Sequence, residues 1–542
     1  MYLKRLVEFA EQQTNLPPIG YSRKEFHWIA IIDNNKLHFI KEEQQNKRII
    51  PDKSRSSDIQ PILLADKAEY VFGFTNKDSS DRVKKRLKQQ HEAYLSLLED
   101  CAKETNDRDI WNLYNILQKP LPNLPGKLKG SDIIIFRDPV ETYLHEKETI
   151  QAYWKKKLQP DSNTVTKTRC MLCGTTGAVM ERHTIEFPLK SQRTKLISAD
   201  KPAYQSHGMK ASTGSPICFM CEQKYGQALS YLLQNHSGKA KAVGPHMYPI
   251  QDITYVYWVR NKKQINFNNL FSISVTTEKE VQELLNSAFS GIKKNNNLKD
   301  FSILTVSANK SRMVVRNYEE GSLTNVQHNI ECFFNAQDMN NGKRFGIYRL
   351  AAMMYQNPTT QMKTYAITTW MEWLLFGRPL PNQVIIPLLK QIQAKGVMYP
   401  EHGAAIQSWL ISQEVRGEWK LEKIKKEQPY LCGRLFAVLE ELQQKATNSR
   451  ERLSSRYFGS ASTAPKSIFG LLIKNSQAHL NTVRKKISDR TANFYSSKIR
   501  EIAGGLNDFP TVLNLKEQAE FSLGYFHQLQ GVTKNKELEG EK

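Results

Sequence analysis

The chain has 542 residues, in which 77 Lys and Arg outnumber 54 Asp and Glu by 23; 40% of the residues are hydrophobic and 24% charged. At about 100–200 residues per domain this predicts about three or four domains, each able to bury a core, and excludes disorder over the whole length. A surplus of 23 positive charges repels itself unless a polyanion neutralises it, so nucleic acid is the first partner to consider and an anionic membrane surface the second.

At the N-terminus LVEFAEQ has helical spacing, and Glu8 and Glu11 interrupt any apolar run. Nowhere does an apolar run approach the about 18–20 residues of a bilayer span, so the chain reads as a soluble cytoplasmic protein without a membrane partner. WIAIIDNNKLHFI reads as a hairpin turning at Asn34-Asn35, a dipeptide that tolerates positive φ. After the loop-like PDKSRSSD come the apolar ILLAD and EYVFGF, and from residue 79 to 98 a basic helix. Its spacing groups Val83, Leu87, Tyr94, Leu97 and Leu98 near one face, leaving Arg82, Lys84, Lys85, Arg86 and Lys88 around the other. NILQKPLPNLPGKLKGSD, with three Pro and two Gly, separates it from the strand IIIFR.

Two C-x-x-C pairs bracket an insert at 168–222. Beyond it, ITYVYWV is a strand and ILTVSANKSRMVVRNY a hairpin around Ala308-Asn309. From about 345 onward apolar residues recur every three or four positions in WMEWLLF, VIIPLLKQIQ, LCGRLFAVLEELQQKA, IFGLLIKNSQAHLNTVRKK and LKEQAEFSLGYFHQL, predicting a helix bundle. The tail GVTKNKELEGEK reads as disordered. The expectation is an α+β chain in four parts: a mixed α/β region 1–160, a zinc-bearing insert 161–235, a β-rich region 236–344 and a helical bundle 345–542.

Seven cysteines in 542 residues are too few for a secreted disulfide framework. Cys170 and Cys173, followed by Gly174, and Cys218 and Cys221 have the form of two zinc half-sites, 44 residues apart. The bland readings are buried reduced cysteines or a redox pair. His183 and His207 lie inside the insert and could replace a ligand, although a core or surface role is the ordinary one. Four protein ligands leave no position for water, so the metal would be structural. No phosphate loop, H-E-x-x-H, G-x-S-x-G or G-x-G-x-x-G is present; His91-Glu92 and His145-Glu146 lack a second histidine. The expected protein is not an enzyme, and a metal-dependent nuclease or other DNA-processing enzyme carrying a zinc knuckle is the alternative. An RNA-binding scaffold is a third reading.

Basic residues near turns are better represented. Lys77, Arg82, Lys84, Lys85, Arg86 and Lys88 could lie along phosphates, against the alternative of a solvated helix face. Lys310, Arg312 and Arg316 would share a hairpin tip and one strand face, with Asn309 holding the turn or bonding a base or sugar. Arg484, Lys485, Lys486 and Arg490 form a third group on a C-terminal helix, where a solubilising face is the ordinary reading.

Many segments together resemble one family. MYLKRLVEFAEQ with LPPIGY, PILLADKAEYVFGF and HEAY lie in the N-terminal region; RHTIEFPLK, LISADKPAYQSHGMKASTGSPICFMC, YGQALSYLL, ITYVYWV and VSANKSRMVVR in the centre; and GRLFAVLEELQQKA, RYFGSASTAPKSIFGLL and FPTVLNLKEQAEFSLGYFHQLQ at the C-terminus. In this order they resemble the large subunit of the type I-C CRISPR Cascade surveillance complex, over nearly the whole chain. The resemblance implies a non-catalytic subunit of a crRNA-guided complex that probes the protospacer-adjacent motif in duplex DNA, helps to open the strands, holds the displaced strand and docks the helicase-nuclease, while base pairing to crRNA reads the target. It implies neighbours among the backbone, crRNA-end-binding and small subunits, and a C-terminal bundle like the small subunit, with Met398 as a candidate internal start or else an ordinary core methionine. Asn309, Arg312 and Arg316, and Gly73 with the loop to Asn76, fall on the family's motifs and are the expected duplex and backbone contacts. The chain departs from the family pattern in having both cysteine pairs complete and in its very basic FTNKDSSDRVKKRLKQQ.

Overall fold

The computed structural model describes the chain apart from residues 43–46, 54, 56–58, 77–79, 120–123, 161–166, 181, 190–191, 200, 206–208, 210, 234–245, 251, 261–266, 268–270, 272, 290–298, 340–341, 415–424 and 541–542. It is a mixed α/β protein with a helical C-terminal region. Two compact units emerge: Met1–Gly244 with Arg260–Lys263 and Ile303–Tyr318, and Pro245–Val259 with Gln264–Ser302 and Glu319–Lys542.

In the first unit a four-stranded sheet runs in the order Lys36–Lys41, Trp28–Asp33, Ile133–Arg137, Ala65–Lys67. The hairpin forms where the Asn pair predicts it, with Asn34 and Asn35 at φ 45° and 58°. The partner on the other side of Trp28–Asp33 is parallel and distant in sequence: Trp28 lies opposite Ile134 and Ala30 opposite Phe136. Buried Trp28, Ala30, Ile134 and Phe136 share one core with Tyr94, Leu98, Ile110, Leu113 and Trp154 from helices Asp81–Thr105, Arg108–Leu117 and Glu148–Leu158. Trp28 Nε1 donates to Asp132 Oδ2 at 3.0 Å and Trp154 Nε1 to the Gly20 carbonyl at 2.9 Å, so both buried indoles are satisfied.

The basic helix is longer than expected and ends at Asn106 in the left-handed conformation; Asp107 then caps a further helix by accepting from the amides of Asp109 and Ile110. Its polarity also differs from the expectation. Val83 is 43% exposed and every residue from Asp81 to Arg86 is exposed, the apolar stripe beginning only at Leu87. The first turns are therefore exposed all round and project from the core, and Val83 is no part of a packed face.

The second unit opens with an antiparallel hairpin of Met247–Ile250 and Ile253–Val259 and then becomes helical. Its centre is the contact of Gln428–Thr447 with Leu515–Gly540. Two glycines permit it: a Cβ on Gly433 would lie 1.9 Å from the Phe521 carbonyl oxygen, and one on Gly524 2.1 Å from that of Tyr430. Phe436 then meets Phe458, Phe469, Phe521 and Tyr525 in tilted and edge contacts. Buried Glu440 accepts from Tyr525 Oη at 2.7 Å and the Ser454 amide at 2.6 Å. The last helix spans Leu515–Gly540. Among the described residues no helix is long and apolar enough to cross a membrane.

Candidate metal centre and nucleic-acid surfaces

Short strands Lys167–Arg169 and Thr176–Ala178 flank a tight loop that delivers Cys170 and Cys173. The Cys170 amide donates to the Thr175 carbonyl and the Gly174 amide to that of Cys170, both at 2.9 Å, with Gly174 at φ 76°, a conformation that favours glycine. The second pair opens the helix Phe219–Leu232, with Cys218 at the N-cap and Cys221 in the first turn, where the helix dipole favours thiolates. The four Sγ atoms lie within 4.8 Å of one another, Cys173 and Cys218 at 3.8 Å. Tetrahedral metal with bonds of about 2.3 Å needs sulfurs about 3.8 Å apart, so the residues fit a metal ion. Hydrogen bonds among the thiols, that of Cys221 foremost, pull Cys218 down to about 5 and push Cys221 up. One readily ionised thiol in a close group suits metal capture, because ligation displaces protons.

His183 is buried and pairs through Nδ1 with Tyr225 Oη at 3.1 Å, outside the group of sulfurs; burial lowers it to about 4. His207 and Lys77 lie outside the described residues. Glu222, the residue after Cys221, is fully buried and accepts from the Thr184 amide at 2.6 Å.

Gly73, at φ 60° and 3.4 Å from His91 Cβ where a Cβ would sit, makes a turn that other residues adopt poorly. Exposed Asn76, just beyond that turn, accepts from the Gly130 amide at 3.5 Å. Phe74 and Asn76 thereby wall an open cleft of about 500 Å³ with Lys41 and the segment Leu124–Lys129. That segment is held by Asp132, which accepts from the Lys129 amide at 3.0 Å as well as from Trp28. Lys41, Lys127 and Lys129 are all exposed at this cleft. Sequence reasoning missed all three because they gather only when the sheet edge meets a Pro- and Gly-rich loop; the isolated KLKG was the sole hint. Arg82, Lys84, Lys85, Arg86 and Lys88 project on the helix that follows, Lys88 within 3.9 Å of Glu92.

The central hairpin pairs Phe301–Asn309 with Arg312–Gly321, and its turn is Lys310-Ser311, later than the Ala308-Asn309 expected. Burial of Val306 and Met313 sets this register, and Lys310 takes the left-handed conformation at φ 53°. Lys310 thus sits on the turn and not on a strand face. Exposed Asn309 ends the first strand, and Arg312 is half-buried. Arg316 is exposed, with Nε donating across the hairpin to Ser307 Oγ at 2.8 Å.

The third basic group spans two helices where one was expected. Arg484, Lys485 and Lys486 end Phe469–Lys486, the chain breaks at Ile487 and Ser488, and Arg490 begins Asp489–Ala503. All four cations are exposed, and Arg484 Nε is 3.2 Å from Asp489 Oδ1. Met398 is half-buried between helices Asn382–Lys395 and Pro400–Gln413.

A cysteine-bracketed insert beside a mixed sheet, a basic hairpin and a helical C-terminal region define a multi-part basic protein that could hold a metal ion. The family model of the CRISPR-associated protein Cas_Csd1 matches residues 3–533. The chain belongs to that family, in agreement with the resemblance to the type I-C Cascade large subunit carried by its sequence. A search of curated proteins finds no match.

Proposed function

We propose that this chain is the non-catalytic large subunit of a crRNA-guided complex of the type I-C kind. It reads the protospacer-adjacent motif in duplex DNA, helps to separate the strands, stabilises the R-loop by holding the displaced strand, and recruits the helicase-nuclease. Its protein neighbours are the backbone, crRNA-end-binding and small subunits, and the helical region serves as a small-subunit-like bundle in the cytoplasm. The observation that carries the reading is the cleft of Lys41, Lys127 and Lys129 with Phe74 and Asn76, in a chain of this family. Cations there can hold phosphates, while the Asn76 amide and the Phe74 ring offer hydrogen bonding and stacking to a base. The exposed cations Arg82–Arg86 on the following helix offer further contacts to phosphates.

The metal is structural zinc, which soft thiolates select. Zinc bound by Cys170, Cys173, Cys218 and Cys221 has no open position for water, so it ties the loop to the helix and takes no part in hydrolysis.

The test is duplex affinity of the full chain as a function of salt. Lys41→Glu with Lys127→Glu, and separately Lys84→Glu with Lys85→Glu and Arg86→Glu, should weaken binding uniformly across sequences, each lost phosphate contact lowering the log-log salt slope by about one. Unchanged affinity and slope in both variants would refute the interface. Metal-dependent cleavage by the purified chain would establish the nuclease instead, and a preference for single-stranded RNA over duplex would favour the scaffold.

A further inference from the structure

The hairpin tip that carries Lys310 and Arg312 is not supported by its own two strands alone. Lys195, from the insert, lies beside it: the Lys195 amide donates to the Ser311 carbonyl and the Met313 amide to the Lys195 carbonyl, both at 2.9 Å, a parallel bridge at Arg312. Lys195 follows the antiparallel ribbon of Phe187–Leu189 and Gln192–Thr194. The ribbon is anchored by buried Phe187 and Leu189 and by Thr194 Oγ1, which donates to the Phe187 carbonyl at 3.1 Å. Just before it, the Thr184 amide donates to Glu222, and Ile185 packs on the same helix where Gly226 lacks a side chain; a Cβ there would lie 2.1 Å from Ile185 Cδ1. Glu222 directly follows Cys221. Ribbon and Lys195 both lie within the 44 residues between Cys173 and Cys218.

We propose that a metal ion held by the four cysteines positions the hairpin tip for nucleic acid, acting through Glu222, the ribbon of Phe187–Leu189 and Gln192–Thr194 and the main chain of Lys195; the inference rests on the hairpin's being a nucleic-acid contact. Metal bound to both cysteine pairs closes the loop containing the ribbon and so removes conformational freedom from it. It also fixes the first helical turn, and with it the carboxylate that holds Thr184. Without the metal the turn frays, the ribbon loses that acceptor, and the two hydrogen bonds at the hairpin open more often. Lys195 and Glu222 are positioning residues: neither has to touch the nucleic acid, and Lys195 acts through its backbone.

The experiment uses the full chain with three readouts: metal content by mass spectrometry, amide exchange at Lys195 and Met313, and affinity for duplex DNA at fixed salt. Removing the metal with a chelator, or by Cys170→Ser with Cys218→Ser, should lower protection at both amides about tenfold, the equivalent of one hydrogen bond's net contribution. It should raise the duplex Kd about fivefold and leave exchange in Ile133–Arg137 unchanged, and returning zinc to the chelated protein should reverse both effects. Lys195→Pro, which deletes the amide donor and keeps all four cysteines, should retain the metal yet raise the Kd by the same factor. Glu222→Ala should do likewise, and Glu222→Gln, whose amide oxygen still accepts from Thr184, should restore affinity. Unchanged protection after the metal has left, or unchanged affinity in Lys195→Pro once the bridge is lost, would overturn the proposal. Charge reversal of Lys310 with Arg312 tests the underlying reading separately: if it leaves the Kd unchanged the hairpin is no contact, while the exchange measurement still decides whether metal and hairpin are coupled.

Discussion

The hairpin tip and the helix junction at 484–490 each present several cations to solvent, but they are built by different means. At the junction the charges come with the secondary structure: Arg484, Lys485 and Lys486 occupy a last helical turn, where the dipole favours cations, and the Ser488 side chain caps the next helix by accepting from the Thr491 amide. Beneath them Val483 and Ala492 are fully buried. At the hairpin the turn lysine takes a backbone conformation that side chains disfavour, and support arrives from Lys195, more than a hundred residues away in the chain. A basic group made by helix ends survives as long as its helices do. One made by a turn depends on whatever holds that turn.

The largest effect belongs to the bundle that supports the junction. Gly433→Ala, which places a methyl group against the Phe521 carbonyl, should cost about 3 kcal/mol in urea unfolding. Gly524→Ala should act similarly, and the pair should fall short of additivity because both changes force the same two helices apart. A loss below about 0.5 kcal/mol would mean that the junction does not depend on this contact.

Next comes a direct contrast of the two basic groups. Charge reversal at Arg484, Lys485 and Lys486 should lower the salt slope of DNA binding by about three whether or not metal is bound. Reversal at Lys310 and Arg312 should lower it by about two in the metal-loaded chain and by less after chelation. Equal responses in both metal states would erase the distinction.

Within the bundle, burial raises the Glu520 carboxyl to about 7, above its ordinary value of 4.5. A carboxyl raised on folding binds more protons in the native state, so its contribution is complete below pH 4.5 and is lost as pH rises through 7. Glu520→Gln should therefore raise the melting temperature at pH 8 and leave it unchanged at pH 4, with little effect on the hairpin. The smallest effect is Lys310→Gly. Relief of the left-handed backbone should stabilise the first unit by about 0.5 kcal/mol while the DNA salt slope falls by about one, separating what the turn needs from what the ligand needs.

Much was legible where the signal is local. Asn34-Asn35 announces its turn, the periodicity of LCGRLFAVLEELQQKA its helix, and each C-x-x-C its half of the four-sulfur group, because turn chemistry and side-chain spacing act within a few residues. Val83 misled because its spacing fits the stripe but the core ends one turn short of it. The hairpin turn misled because Asn309 suits a left-handed position, whereas burial of Val306 and Met313 moved that position to Lys310.

By itself the sequence determined the surplus of positive charge, a mixture of helix and strand, the helical C-terminal region, the four cysteines and the family. Only the tertiary structure decided that Trp28–Asp33 pairs in parallel with Ile133–Arg137, that Lys41 meets Lys127 and Lys129 at one cleft, and that Lys195 braces the hairpin. Those contacts join segments far apart in the chain. Their partners are selected by burial and by the need to satisfy backbone hydrogen bonds across the assembled unit, which no local pattern records.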